Sequence, residues 1–238
     1  MSLFTSSHFA SACASGTDWR DTSKNVLEKL DGIRTEHDQF NFGIIYISDH
    51  LSDDASSILN LFKSVLKIDC WVGSIGMGVI GCNESHVDTP AISAMLCRFP
   101  KDSFCLFPEM NDNDEILKSQ DRVLNWLTEK SPVVALVHGD PMAEEDPRAV
   151  LDDMERSTNA FVIGGMTSSR KNHYQIAGTL LNNSICGAFL SSDISIATTL
   201  SQGCEKVSPY HTVTKADENI ILELDDKHAL KVFEQDLR

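Results

Sequence analysis

One pattern occurs twice in this chain, 91 residues apart, and it restricts the available folds more than any other feature. The first copy starts with Phe42-Gly43-Ile44-Ile45-Tyr46-Ile47, a short, unbroken apolar run that reads as a strand buried on both faces. A polar loop, Asp49 to Asp54, leads into a helix over about 53–67, whose Ile58, Leu59, Phe62 and Leu66 recur at 3–4 spacing. A second buried strand, Cys70 to Gly73, runs into the small-residue loop Ser74 to Cys82. The second copy repeats these events with Val133 to Val137, the polar stretch Gly139 to Asp146, a helix opened by Asp146-Pro147, and Ala160 to Ile163 running into Gly164 to Ser169. Ser48 and Asp49 align with Gly139 and Asp140, and Gly73 and Ser74 with Gly164 and Gly165, at the same offset of 91. Each copy is followed by a more alternating strand, Ala91 to Phe99 and Ser184 to Leu190. An internal duplication accounts for the agreement; two unrelated strand–helix–strand units are the alternative.

The remaining segments fit around these units. A first helix is expected after Ser15-Gly16-Thr17 with Thr17 as its N-cap, and another over 113–129 ahead of Pro132. After the second unit, strands are expected over Tyr174–Leu181, Ile185–Leu190, Ile194–Ser201, Lys206–Lys215 and Asn219–Leu224, then a helix over Lys227–Leu237. The expected fold is mixed α/β (α+β): two pseudo-repeats, about 40–100 and 132–190, form mixed sheets with helices packed outside, as in an αββα-like sandwich. Strands and a helix over 191–238 follow. No low-complexity linker interrupts the chain, so residues 1–238 read as one domain.

Composition excludes several roles. With 35 acidic against 20 basic residues the net charge is −15, which disfavours nucleic acid and anionic membrane surfaces. Seven cysteines, an odd number with no C-x-x-C, indicate buried reduced thiols in a cytoplasmic protein, not a disulfide framework or a zinc motif. No apolar run approaches the ~18 residues of a membrane span, and the N-terminus lacks signal-peptide character.

The candidate site follows from the repeat. Ligands of open α/β sheets lie beyond the carboxyl ends of parallel strands, and glycine there admits close approach to the backbone. Gly73, Ser74, Gly76 and Gly78 occupy that place in the first copy, Gly164 and Gly165 in the second. Tight turns or bulges are the structural alternative. Gly76-x-Gly78-x-x-Gly81 has dinucleotide-loop spacing, but no helical stripe follows it, so that reading fails. Asp49 and Asp140 either contact a ligand amine and do acid–base work, or cap the following helices. The eight histidines form no metal motif; His138 and His173 lie nearest the second loop and are the candidates for axial haem ligation. Cys204, beside Glu205, reads as a structural thiol more than a nucleophile.

Val72 to Gly81, Gly139-Asp140-Pro141, Val162 to Ser168, Ser201-Gln202-Gly203-Cys204, Val213 to Ala216 and Asn219 to Asp225 together resemble the FIST N-terminal domain across nearly the whole chain. The resemblance implies a sensory module of intracellular signal transduction that binds a small molecule, an amino acid being the proposed class, and works with a signalling output protein or domain. It also brings a haem-based nitric-oxide sensor as the alternative; a thiol or hydrolase-like enzyme using Cys204 or Asp140 is a further one. No catalytic residues and no resident cofactor transfer with it. The ligand-binding candidates, expected from a cleft shared by the two copies, are Gly73, Ser74, Gly76, Asp140, Gly164, Gly165, Gln202 and Cys204. The chain departs from the pattern at Ser74 and Thr167-Ser168, and with no FIST C-terminal half expected after Arg238 it reads either as a fragment or as a stand-alone protein with its output supplied in trans.

Overall fold

The structure is a computed structural model that describes residues 8–33, 39–110, 121–144, 146–199, 203 and 206–237. It divides into two compact units, Met1–Ile196 and Ala197–Arg238.

In the first unit the chain runs through β1 (Phe9–Ser15), α1 (Trp19–Ile33), β2 (Phe42–Ser48), a 3-10 turn (Asp49–Asp54), α2 (Ala55–Leu66) and β3 (Trp71–Gly76). The hairpin β4 (Gly78–Gly81) and β5 (Glu84–Val87) and then β6 (Ala91–Cys97) follow. The second half runs β7 (Phe104–Met110), α3 (Asp121–Glu129), β8 (Pro132–Gly139), α4 (Pro147–Thr158), β9 (Phe161–Met166), β10 (Gln175–Ala177), β11 (Leu180–Leu181) and β12 (Ile185–Ser191).

Two sheets result, ordered β1-β6-β2-β3-β10-β11 and β7-β12-β8-β9. In both, the first strand of each half pairs antiparallel with the last, the last pairs antiparallel with the second, and the second pairs parallel with the third. The layering follows from where the apolar side chains go. Val26 and Leu30 of α1 and Ile58, Leu59 and Phe62 of α2 pack on one face of the first sheet, against Ile45, Trp71 and Ile92. Val123 of α3 and Val150 and Met154 of α4 pack on the second sheet, against Phe107, Ala135, Val137 and Phe189. Phe42, Val72, Cys97 and Ala188, with Ile44, Met95, Phe104 and Leu136, fill the space between the sheets. The unit is an αββα sandwich, because each buried strand has an apolar side chain to place on both faces.

Register corrects the alignment of the two halves. Gly73 pairs with Ile45 and Gly164 with Val137. The second strands are therefore 91 residues apart but the first strands 92, so Ser48 corresponds to Asp140 and Asp49 to Pro141. The connection between paired positions is one residue shorter in the second half, which composition alone does not reveal.

Other expectations change locally. Asp18, not Thr17, caps α1: its carboxylate accepts from the Arg20 and Asp21 N–H groups. Residues 49–54 form a helical turn where a polar loop was expected. No strand forms over the described residues 194–199, where the Ile194 N–H instead closes a turn on the Ser191 carbonyl. Residues 206–212 are not strand either, since Pro209 has no N–H to offer a ladder. Of the helix expected over 113–129, residues 111–120 lie outside the described residues. Residues 1–7 likewise lie outside them. Strand β1 was not expected from the sequence.

Asp146 caps α4 as expected, its carboxylate accepting from the Arg148 N–H, with Pro147 in the first turn. Asp146→Ala is expected to lower stability by about 1 kcal/mol, read as a lower urea midpoint with unchanged slope.

The second unit is a three-stranded antiparallel sheet, β13 (Val213–Asp217), β14 (Ile220–Leu224) and β15 (Lys227–His228), followed by α5 (Ala229–Asp236). His211 lies between Asp225 and Asp236, at 2.6 and 2.9 Å.

Candidate functional site

Paired residues on neighbouring strands point to the same face of a sheet. Tyr46 pairs with Ser93 on one side and Ser74 on the other; Ser93 pairs on with Cys13, and Ser74 with Gln175. Cys13, Ser93, Tyr46, Ser74 and Gln175 thus form one rung across five strands of the first sheet. Opposite, His138 pairs with Cys186 and Gly165. The two rungs face each other, because Tyr46 Oη and His138 Nε2 meet at 3.0 Å with ring centroids 5.6 Å apart. Tyr46 and His138 are also equivalent residues of the two halves, at the corrected offset of 92. Towards the amino ends of the parallel strands the same space holds Ile44, Val72, Met95 and Leu136 and is apolar. The polarity changes at the carboxyl ends of β2, β3, β8 and β9, where ligands of parallel sheets bind.

The rung carries hydrogen-bonding capacity without net charge. His138 is 3% exposed, and burial pushes its pKa down to about 4, so the ring is neutral at pH 7. Burial also raises the Tyr46 phenol above its ordinary value. Burial pushes the Cys186 thiol up to about 12, which makes it inert. Gln175 is fully buried; its Nε2 donates to Thr167 Oγ1 at 2.9 Å and to the His173 carbonyl. Among the described residues four buried side-chain polar atoms lack a partner, and two belong to these facing rungs, one on each: His138 Nδ1 and Gln175 Oε1. Buried polar groups are ordinarily satisfied, and an unsatisfied one costs about 1–3 kcal/mol.

The segment after β9 closes this end of the sandwich. Ser168 bridges Gly76 in parallel, and the Ile75 N–H donates to the Tyr174 carbonyl. Arg170 folds back onto Asp49: its backbone N–H (3.0 Å), Nε (2.8 Å) and Nη2 (2.7 Å) all donate to that carboxylate, while Nη1 reaches Asp88. These bonds hold the buried Asp49 carboxyl down at about 2 and raise the Arg170 guanidinium.

The residues singled out from sequence divide between this site and the scaffold. Ser74 and Gly165 are on the rung, and Gly76 lies one step beyond Ser74. Gly73 and Gly164 are on the opposite parity, facing the helices. Asp140 accepts from the Met142 N–H (2.8 Å) and the Asn183 N–H (2.9 Å) and lies 3.4 Å from His173 Nδ1. Its carboxylate is thus committed to holding two loops. Gln202 and Cys204 lie outside the described residues. His138 Nε2 is engaged by Tyr46, and His173 Nε2 by the Ser169 carbonyl at 2.8 Å. Axial ligation through either Nε2 would require breaking that bond first. Tyr46, Ser93 and Gln175 were missed. A tyrosine and a histidine at matching places in otherwise apolar strands are the signal that identifies the first of them.

A concavity of about 200 Å³ lies against β8 and β9 of the second sheet, lined by Val137, Leu151, Val162, Gly164, Gly165 and Met166 among others. It is apolar and smaller than the roughly 300–1,000 Å³ of typical ligand pockets.

A family model described as FIST N domain matches residues 41–227. No curated protein matches the chain.

Proposed function

Because this chain belongs to the FIST N domain family, a family of signal-transduction sensory domains, we propose that it senses a small uncharged or zwitterionic molecule held at the polar rung between its sheets. The observation that carries the proposal is the pair of partnerless buried atoms, His138 Nδ1 and Gln175 Oε1, on facing rungs with no formal charge. A ligand offering one donor and one acceptor would satisfy both, whereas a net charge there would find no counter-ion. An amino acid meets that description and is the first class to test. Gly165 is the candidate point of entry: it is exposed, pairs with His138, and a Cβ on it would meet nothing within 4 Å. The signal passes to an output protein or domain, and the six described cysteines, all free, support a reducing, cytoplasmic setting. No helix among the described residues is long and apolar enough to cross a membrane.

Thermal denaturation against a panel of amino acids tests this. A ligand at a hundred times its Kd adds about 2.7 kcal/mol of stability, and the shift is expected to disappear in Gly165→Val, whose side chain is accommodated without clash and would project beside His138. No shift with any amino acid rejects that class. A shift that survives Gly165→Val places binding elsewhere. A Soret band formed with added haem and lost in His138→Ala or His173→Ala would favour haem sensing instead.

A further inference from the structure

The rung's outer end on the first sheet leads to a group of side chains with a different chemistry. Cys13 of β1 and Glu84 and His86 of β5 place their donor atoms, a sulfur, a carboxylate oxygen and a ring nitrogen, all within 4.8 Å of one another. Among the described residues this is the one group of three or more His, Cys, Asp or Glu that meets that spacing. His86 Nε2 and Glu84 Oε2 are 3.1 Å apart. A tetrahedral zinc ion with thiolate, imidazole and carboxylate ligands keeps their donor atoms about 3.3–3.6 Å apart, so the group is within small side-chain rotations of that geometry.

The fold builds this arrangement from elements distant in the chain. The β4–β5 hairpin turns at Cys82-Asn83, both left-handed at φ 55° and 63°, as a two-residue hairpin turn requires. Val79 packs with Cys13, Ala91 and Tyr46, which lays the hairpin over the first sheet. A Cβ on Gly81 would lie 2.1 Å from Ser93 Oγ, so the hairpin sits against β6 without room to spare. Glu84 and His86, two residues apart, share one face of β5 and meet Cys13 beneath it.

We propose that Cys13, Glu84 and His86 form a binding site for a borderline-soft divalent cation of the zinc type. The donor set selects the ion class: a thiolate and an imidazole disfavour magnesium and calcium, which take oxygen ligands. The charges agree as well, since one thiolate, one carboxylate and a neutral imidazole cancel a 2+ ion. Without such an ion, burial and the neighbouring Cys82 and Glu84 raise the Cys13 pKa, opposed by Lys29 and Ser93; Lys29 Nζ donates to the Cys13 carbonyl at 2.6 Å. A bound ion displaces the thiol proton outright. Three protein ligands leave the fourth position to water, and Glu84 and His86 are accessible from outside. Occupancy would clamp the hairpin to β1 above Tyr46.

Titration of the full chain with Co²⁺ tests the site, because a thiolate-bound tetrahedral cobalt gives a sulfur charge-transfer band and intense visible bands. Saturation at about one equivalent is expected, with Zn²⁺ displacing the cobalt. Cys13→Ser should abolish the charge-transfer band, and His86→Ala and Glu84→Ala should each weaken binding at least about tenfold. Cys82→Ser should leave the spectrum intact, as that sulfur lies 3.5 Å from Ser11 Oγ, with which it is hydrogen-bonded. Should the buried Cys13→Ser variant fail to fold, the two hairpin variants decide. Absence of a band, or a band that all three ligand variants leave unchanged, overturns the proposal.

Discussion

Alanine at Gly73 or Gly164 is expected to prevent folding. A Cβ at Gly73 would lie 1.7 Å from the Ile45 carbonyl oxygen, and one at Gly164 1.9 Å from that of Val137. Both oxygens belong to the neighbouring parallel strand, so the clash is with backbone that cannot rotate away. Both glycines are also at positive φ, +155° and +147°, where a side chain is strained whatever the space. The loss should exceed about 4–5 kcal/mol, much of the roughly 5–15 kcal/mol that holds a domain together. The next residue provides the control. Gly165→Ala meets nothing within 4 Å and should stay within about 0.5 kcal/mol of the parent. Expression followed by urea unfolding under circular dichroism separates the two cases, and equal stability of Gly164→Ala and Gly165→Ala would refute the argument. The functional reading changes with it. Gly73 and Gly164 serve the parallel ladder in each half, while Gly165 has open space where its Cβ would be.

Arg170→Ala is expected to be the next most damaging change. It leaves the Asp49 carboxylate, 2% exposed, with no guanidinium. Stranding a buried charge costs about 3–5 kcal/mol; Arg170 is itself 44% exposed, so water repays part of this and the lower end is expected. The pH dependence identifies the cause. Asp49 titrates at about 2 when folded against about 3.9 when unfolded. A depressed carboxyl contributes stability that is fully present above the unfolded value and lost as pH falls through the folded one. The gap between parent and variant should therefore be widest near pH 7 and narrow between about pH 4 and 2. Urea midpoints measured across that range test it, and a gap independent of pH would mean that Arg170 acts through packing alone. The same pair fastens the segment after β9 across the end of the sandwich, so its loss should also loosen the Ser168–Gly76 bridge beside the rung.

Much of the architecture is visible in local pattern. Phe42 to Ile47 and Val134 to Val137 are buried on both faces as read, with Val133 exposed at the start of its strand, and the 3–4 spacing from Ile58 to Leu66 marks the buried face of α2. Strand β1 was hidden because Ala10 to Ser15 is built from alanine, serine and cysteine, whose small side chains carry little strand signal, yet Ala10, Ala12 and Ala14 are buried in one core with α1. The one-residue slip between the halves was hidden for another reason. An offset can be counted along the chain, but which residues stand opposite each other depends on backbone hydrogen bonds between strands.

The sequence by itself determined two strand–helix–strand units and a glycine near the carboxyl end of each second strand, because periodicity and backbone freedom are properties of residues close in the chain. The tertiary structure alone decided that Tyr46 meets His138, that Asp49 belongs to Arg170, and that Cys13 lies under Glu84 and His86. Those partners are 92, 121 and about 70 residues apart. Tyr46 and His138 meet because two sheets pack face to face with one register, and one residue of slip would turn either side chain to the other face; the other two contacts depend on where a loop and a hairpin fold back on the first half.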